Sequence, residues 1–212
     1  MKICIINGSP KAGENTSELL IRALASKFRK TDEVKLHRVA SKGFGEALYR
    51  DIAESGALVF AFPLYVDSIP SHLLRLLSDL KEKGGLSAKT RVYCILNNGF
   101  FEGTQNRIAA EQMKNWCAAA GLKWGQAIGV GAGEMLPFLK EIPLCHGSYQ
   151  NLGRALDIFA ENLLNRRTGE DLFLSPKFPR SLWRFQASRS VWLPRAKKNG
   201  LKRKDLLRRE QS

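Results

Sequence analysis

Residues 7–20, NGSPKAGENTSELL, follow a short apolar run, Ile3-Cys4-Ile5-Ile6, and open a helical pattern. A strand that ends in a Gly/Ser/Asn loop and then starts a helix makes an anion cradle. Successive backbone N–H groups and the positive end of the helix dipole aim at one point. Ser9, Thr16 and Ser17 add hydroxyls, Asn15 an amide and Lys11 a mobile positive charge. A plain N-cap at Asn15, with Glu18 as the other half of a capping box, accounts for those two residues. It leaves Gly8, Ser9, Lys11 and Gly13 unexplained. Spacing narrows the occupant. A triphosphate loop needs Gly-x4-Gly-Lys-Ser/Thr; Gly8 and Gly13 keep the gap, but Glu14-Asn15 replaces Lys-Ser/Thr. The dinucleotide fingerprint GxGxxG is missing too, so the loop fits the monophosphate of a mononucleotide.

The rest of the chain alternates strand and helix. Helical stripes fall at Thr16–Phe28 (Leu20, Ala23, Leu24, Phe28), Gly45–Glu54, Ser71 to Gly84 (Leu73, Leu76, Leu77, Leu80), Gln105–Ala120 and Gln150–Leu164. Apolar runs at Ile3–Ile6, Val34–Val39, Leu58–Phe62, Val92–Leu96 and Trp124–Val130 read as strands, the third of them continuous enough to be covered on both faces. Five such strands with five helices imply a three-layer α/β sandwich on a parallel sheet of order 2-1-3-4-5. In such sheets a ligand sits outside the carboxyl ends of the strands, where the order reverses. The loops that meet there follow the first, third and fourth strands: Ser9–Ser17, Pro63–Pro70 and Asn97–Thr104.

These loops complement each other chemically. The first holds a dianion. The second offers an apolar shelf at Pro63, Leu64, Tyr65 and Val66. The third offers Asn97, Asn98 and Gly99 for polar edges and Phe100 and Phe101 for stacking. A flat heteroaromatic ligand with one phosphate needs this combination, and flavin mononucleotide (FMN) is the foremost candidate.

GSPKAGENTSELL, then FPLYVDSIPSHLLRLLSDL, then NNGFFEGTQNRIAAEQMKNWCAAAGLKW resemble the flavodoxin-like NAD(P)H-dependent FMN reductase family over residues 1–165. Lys11 stands where the family's phosphate loop usually has Arg, and Glu14-Asn15 where it has Gly-Asn; Lys gives a point charge and lacks the bidentate fork. The related iron–sulfur flavoproteins carry a compact cysteine cluster that this chain lacks. The resemblance implies a flavodoxin-like FMN-binding domain over 1–165. It implies FMN phosphate at Ser9, Lys11, Asn15, Thr16 and Ser17, and ring contacts at Pro63, Leu64, Tyr65, Val66, Asn97, Gly99, Phe100 and Glu102. It further implies an oxidoreductase that passes a hydride from NADH or NADPH through the flavin to a small-molecule acceptor: a quinone, a nitro or azo compound, or free flavin. No catalytic side chain and no metal ligand is expected, because the cofactor carries the chemistry. Family members are commonly dimers or tetramers, and Leu73, Leu76, Leu77 and Leu80 are candidates for a subunit contact.

Charge and cysteines set the remaining expectations. The net charge is +14, yet residues 175–212 hold 12 Lys/Arg against Asp205 and Glu210, leaving 22 basic and 18 acidic residues, a net of +4, in 1–174. Residues 166–212 therefore read as a basic, aromatic-containing extension. Its preferred reading is docking on the body or on a partner subunit, followed by an anionic surface and last by nucleic acid. Pro194 is expected to interrupt any long helix there. Cys4 and Cys94 sit in strand runs and Cys117 on a helix face, all read as core; Cys145-His146 is a weak thiol–base pair. With no apolar run near the roughly 20 residues of a membrane span and no leader pattern, a cytoplasmic protein is expected. Two further functions compete: a flavin-binding electron carrier without NAD(P)H turnover, against which the slightly basic body speaks, and a regulatory module acting through the tail.

Overall fold

The computed structural model describes residues 1–39, 43–139 and 146–208. Two compact units divide the chain, 1–176 and 177–212.

In the first unit, strands and helices alternate: β1 Lys2–Asn7, α1 Thr16–Ala25, β2 Glu33–Arg38, α2 Glu46–Glu54, β3 Ala57–Pro63, α3 Ser71–Lys83, β4 Arg91–Asn97, α4 Arg107–Ala119, β5 Lys123–Val130, α5 Gln150–Leu164 and β6 Leu172–Leu174. All strand pairings are parallel, in the order β2-β1-β3-β4-β5-β6. The side-chain period of 2 then splits the core into two halves. Cys4, Ile6, Leu58, Phe60, Cys94 and Leu96 face α2, α3 and α4. Ile3, Ile5, Val59, Tyr93, Ile95 and Ile128 face α1 and α5. Burial on both faces explains why β1, β3 and β4 are continuous apolar runs, whereas edge strand β2 keeps most of its residues exposed.

The expected order 2-1-3-4-5 is present, but the sheet has six strands, not five. The compact unit accordingly passes residue 165 and ends at Pro176. β6 is three residues long, too short for any periodicity to announce it. It is held by its flanks: Asp171 accepts hydrogen bonds from Trp124 Nε1 at 3.1 Å and from the Ala127 N–H at 2.7 Å, and Gln126 Nε2 donates to the Glu170 carbonyl at 2.6 Å. The strand also needs room beside it. A Cβ on Gly129 would come within 2.6 Å of the Phe173 ring.

The four leucines of α3 are buried in the core, between 0 and 2 % exposed. They are therefore unavailable for a subunit contact, because the stripe that looked like an interface is the face α3 turns to the sheet. Cys4, Cys94 and Cys117 are buried free thiols, with Cys4 and Cys117 pushed up to about 12 chiefly by burial, which leaves them inert. Cys145 lies outside the described residues.

The second unit contains α6 Arg180–Ala187, a π-helical turn Ser188–Trp192 and α7 Leu193–Lys198. Pro194 does not interrupt it. The Leu193 N–H bonds back to the Ser188 carbonyl, one residue further than in an α-helix, and Pro194 sits in the first turn of α7, where its missing N–H is not needed. The wider π turn lets the helical path continue through the proline.

Candidate functional site

The carboxyl ends of β1, β3, β4 and β5 point to one edge of the sheet, and the loops there are tied to each other by hydrogen bonds. The loop after β1 leaves the sheet under close packing. The Gly8 N–H donates to the Ala61 carbonyl of β3 at 2.8 Å, and a Cβ on Gly8 would stand 2.7 Å from Leu73 Cδ2. The His72 ring, at the start of α3, bonds the Gly8 carbonyl at 3.1 Å. Burial lowers the His72 pKa, so the neutral ring is the favoured form. The buried Ser9 donates its N–H to Asn7 Oδ1 at 3.0 Å. Gly13 then takes φ +77°, open to glycine at little cost.

Asn15 is the N-cap of α1. Its Oδ1 accepts from the Glu18 N–H at 3.0 Å, and its Nδ2 donates to the Gly13 carbonyl at 3.1 Å. The reciprocal half of a capping box is not formed, because Glu18 turns its carboxylate to Arg22 at 2.6 Å and to Arg38. Arg38, the last residue of β2, also donates to the Gly13 carbonyl at 3.1 Å. Glu14 pairs with Arg22 at 3.3 Å, which draws its charge along the helix surface. The first turn of α1 is left with an unfilled donor set. Asn15 and Ser17 are buried, and the backbone N–H groups of Asn15, Thr16 and Ser17 meet no acceptor among the described residues. Such a turn fits a phosphate.

Side-chain hydroxyls of the same turn serve the neighbouring loops. Thr16 Oγ1 donates to the Gly133 carbonyl at 3.2 Å, and Asn97 Nδ2, at the end of β4, donates to Ser17 Oγ at 2.9 Å. Asn15, Thr16, Ser17 and Asn97 are thus tied together and to the loop after β5, while Ser9 is buried with its N–H on Asn7 and Lys11 is exposed.

The loop after β3 starts with the Leu64 N–H bonding the Asn97 carbonyl at 2.8 Å. Tyr65 and Ser68 close a two-residue turn whose centre, Val66 and Asp67, has φ of +50° and +57°. A β-branched residue in that region is strained, and Val66 is 98 % exposed. Tyr65 is exposed beside it; Pro63 and Leu64 are half-buried.

In the loop after β4, Asn98 binds outward and inward at once. Its N–H donates to the Val130 carbonyl, its carbonyl accepts from Gly133 at 2.7 Å, and its Nδ2 donates to the Glu102 carbonyl at 3.2 Å. Its Oδ1 is buried with no partner among the described residues, an acceptor left over in the middle of the site. Gly99 and Phe100 are exposed, and Glu102 is intermediate.

Two contributors escape a reading of the sequence that takes only the loops after β1, β3 and β4. One is Arg38, whose signal was its place at the carboxyl end of the strand beside β1. The other is the loop after β5, Gly131-Ala132-Gly133. A Cβ on Gly131 would collide with the Phe101 carbonyl, Ala132 donates its N–H to the Phe100 carbonyl at φ +49°, and the buried Tyr149 hydroxyl holds the Ala132 carbonyl at 2.7 Å. The Gly-x-Gly after a strand was the available signal.

Among the described residues no group of three or more His, Cys, Asp or Glu is placed to hold a metal ion, and no helix is long and apolar enough to cross a membrane. No protein-family model and no curated protein sequence matches the chain. Solved structures do. Trp repressor binding protein from Bacillus subtilis is 14 % identical with a TM-score of 0.55, over 74 % of this chain and 97 % of its own. A flavodoxin, WrbA-like protein from Agrobacterium tumefaciens is 14 % identical, TM-score 0.55, over 78 % and 97 %. An NADH:FMN oxidoreductase in the apo form is 16 % identical, TM-score 0.54, over 76 % and 89 %. At these identities the likeness concerns the fold. The first unit of this chain has the flavodoxin-like α/β fold.

Proposed function

We propose that the body is an FMN-dependent oxidoreductase that takes reducing equivalents from NADH or NADPH and passes them to a small-molecule acceptor. The observation that carries this reading is the unfilled donor set at the start of α1, Asn15 to Ser17, facing the same edge as the exposed Tyr65 and Phe100. In this reading the N–H groups of Asn15, Thr16 and Ser17, with Lys11 from the rim, hold the FMN phosphate. Tyr65 and Phe100 flank the ring, and the Pro63–Val66 backbone runs along it. Asn97 keeps α1 in register with β4, and Asn98 Oδ1 offers an acceptor to a ring N–H. Bound there, FMN supplies hydride acceptance from a nicotinamide and its onward delivery. The protein's part is to hold the phosphate, shelve the ring and leave one face open, for which exposed Tyr65 and Phe100 are suited.

The neighbours' names point the same way. One is an FMN-dependent NADH-azoreductase from Bacillus anthracis in complex with FMN, 11 % identical with a TM-score of 0.54, over 77 % of this chain and 99 % of its own. The test is the visible spectrum of the purified protein loaded with FMN, before and after anaerobic NADPH. Bleaching of the flavin band, restored by air or by a quinone, is the expected result. A flavin band that NADPH and NADH leave unchanged selects the electron-carrier reading instead. Failure to take up FMN at all rejects both.

A further inference from the structure

The second unit has a composition and a surface that the first unit's chemistry does not require. It carries 12 Lys/Arg against Asp205 and Glu210 within 175–212, and Asp205 is engaged locally, accepting the Lys202 N–H at 2.7 Å. Helix α6 has no buried residue. Leu182 is 47 % exposed, Phe185 57 %, Trp192 60 %, Leu201 47 % and Leu206 46 %. A short unit that is this cationic and also leaves two aromatic and three aliphatic side chains in water is built for a surface that is anionic outside and apolar beneath.

The arrangement discriminates between the anionic partners. A nucleic-acid platform would present aromatic faces to stacking bases. Here the Arg189 guanidinium lies over the Phe185 ring, 6.0 Å from its centroid, and the Arg195 guanidinium over that of Trp192 at 5.9 Å, so one face of each ring already has a cation beside it. Leu182, Leu201 and Leu206 add nothing to base stacking, but they do add insertion energy at a lipid interface. Aromatic rings beside arginines are the pattern of side chains that rest between headgroups and acyl chains. We infer that the second unit binds the surface of an anionic lipid bilayer, Lys and Arg on the headgroup phosphates and Phe185, Trp192 and the leucines at the acyl boundary. This is independent of what the first unit binds.

The experiment is co-sedimentation of the full chain with vesicles of phosphatidylcholine alone and of phosphatidylcholine with phosphatidylglycerol, over a salt series, with tryptophan emission read in parallel. Binding to the anionic vesicles only, weakened by salt and accompanied by a blue shift, is expected. Phe185→Ser/Trp192→Ser should lower the partition coefficient at least about tenfold. Lys197→Gln/Lys198→Gln should lower it about 30-fold at low salt, at roughly 1 kcal/mol per basic residue. Phe185, Trp192 and both lysines are exposed, and unchanged circular dichroism of the variants confirms that they fold. The inference is overturned by equal binding to neutral vesicles, by no binding to anionic ones, or by binding that the Phe185/Trp192 pair does not affect. Tighter binding to DNA at equal phosphate concentration overturns it in favour of nucleic acid.

Discussion

His72 joins stability to the entrance of the site. Its ring bonds the carbonyl of Gly8, the residue where the chain turns from β1 into the cradle. Burial holds its pKa below the ordinary 6.5, so the folded protein binds fewer protons than the unfolded chain between the two values. Stability is then complete above about 6.5 and falls as pH drops through that window. Thermal melts of wild type and His72→Gln from pH 8 to 5 should therefore converge in shape at high pH and separate below, the wild type losing more. Parallel curves throughout would remove His72 from the account. Arg38 is a second case. It is exposed and salt-bridged to Glu18, so Arg38→Ala should cost under about 1 kcal/mol of stability. By releasing the Gly13 carbonyl it should still weaken FMN binding severalfold, read by fluorescence titration. The cap at Asn15 was legible in sequence because a short polar side chain just before a helical stripe accepts from the first turn's N–H groups. Arg38 was legible only in part: its place at the carboxyl end of the strand beside β1 puts it near the site's edge, but nothing local to β2 says which loop its side chain will reach.

At the scale of elements, the strand–loop–helix units were legible because burial on both faces writes uninterrupted apolar runs, as in Leu58–Phe62, and because the α5 stripe Leu152, Leu156, Phe159 and Leu163 repeats at helical spacing and is fully buried. β6 was hidden since three residues carry no period, and its place depends on partners far away in sequence: Asp171 with Trp124, Phe173 against Gly129. The strained turn after β3 was hidden likewise, as Val66-Asp67 is not a turn signature. Val66→Gly should raise stability by about 1 kcal/mol in chemical denaturation, by removing the left-handed strain. In the proposed function it should also weaken FMN binding, since the backbone that runs along the ring gains conformational freedom. A gain in stability with tighter binding would show that the strain has no part in the site. In the loop after β5, Tyr149→Phe leaves the buried Ala132 carbonyl short of a donor and should cost about 1–3 kcal/mol.

For the whole molecule, the first unit owns the sheet, both halves of the core and every residue assigned to the site, and it ends at Pro176. Residues 1–176 alone should therefore melt as cooperatively as the full chain and bind FMN with the same affinity, while losing all vesicle binding. A truncated body that fails to fold would show that the two units are interdependent. Most of the net charge, which looked like a property of the whole protein, belongs to the second unit, and this division could be read from residue counts alone. What covers the second unit could not, because charge and apolarity name a class of surface and not its geometry.

The first turn of α1 is the proposed seat of the FMN phosphate. The direct measurement is titration of FMN into flavin-free protein, wild type against Thr16→Glu, followed by quenching of flavin fluorescence. Thr16 is partly exposed, so the substitution places a carboxylate among the unfilled N–H groups without opening the core. Saturable one-to-one binding by the wild type and none by a Thr16→Glu protein with an unchanged melt is the predicted result. Undiminished binding by Thr16→Glu, or no binding by the wild type, would contradict it.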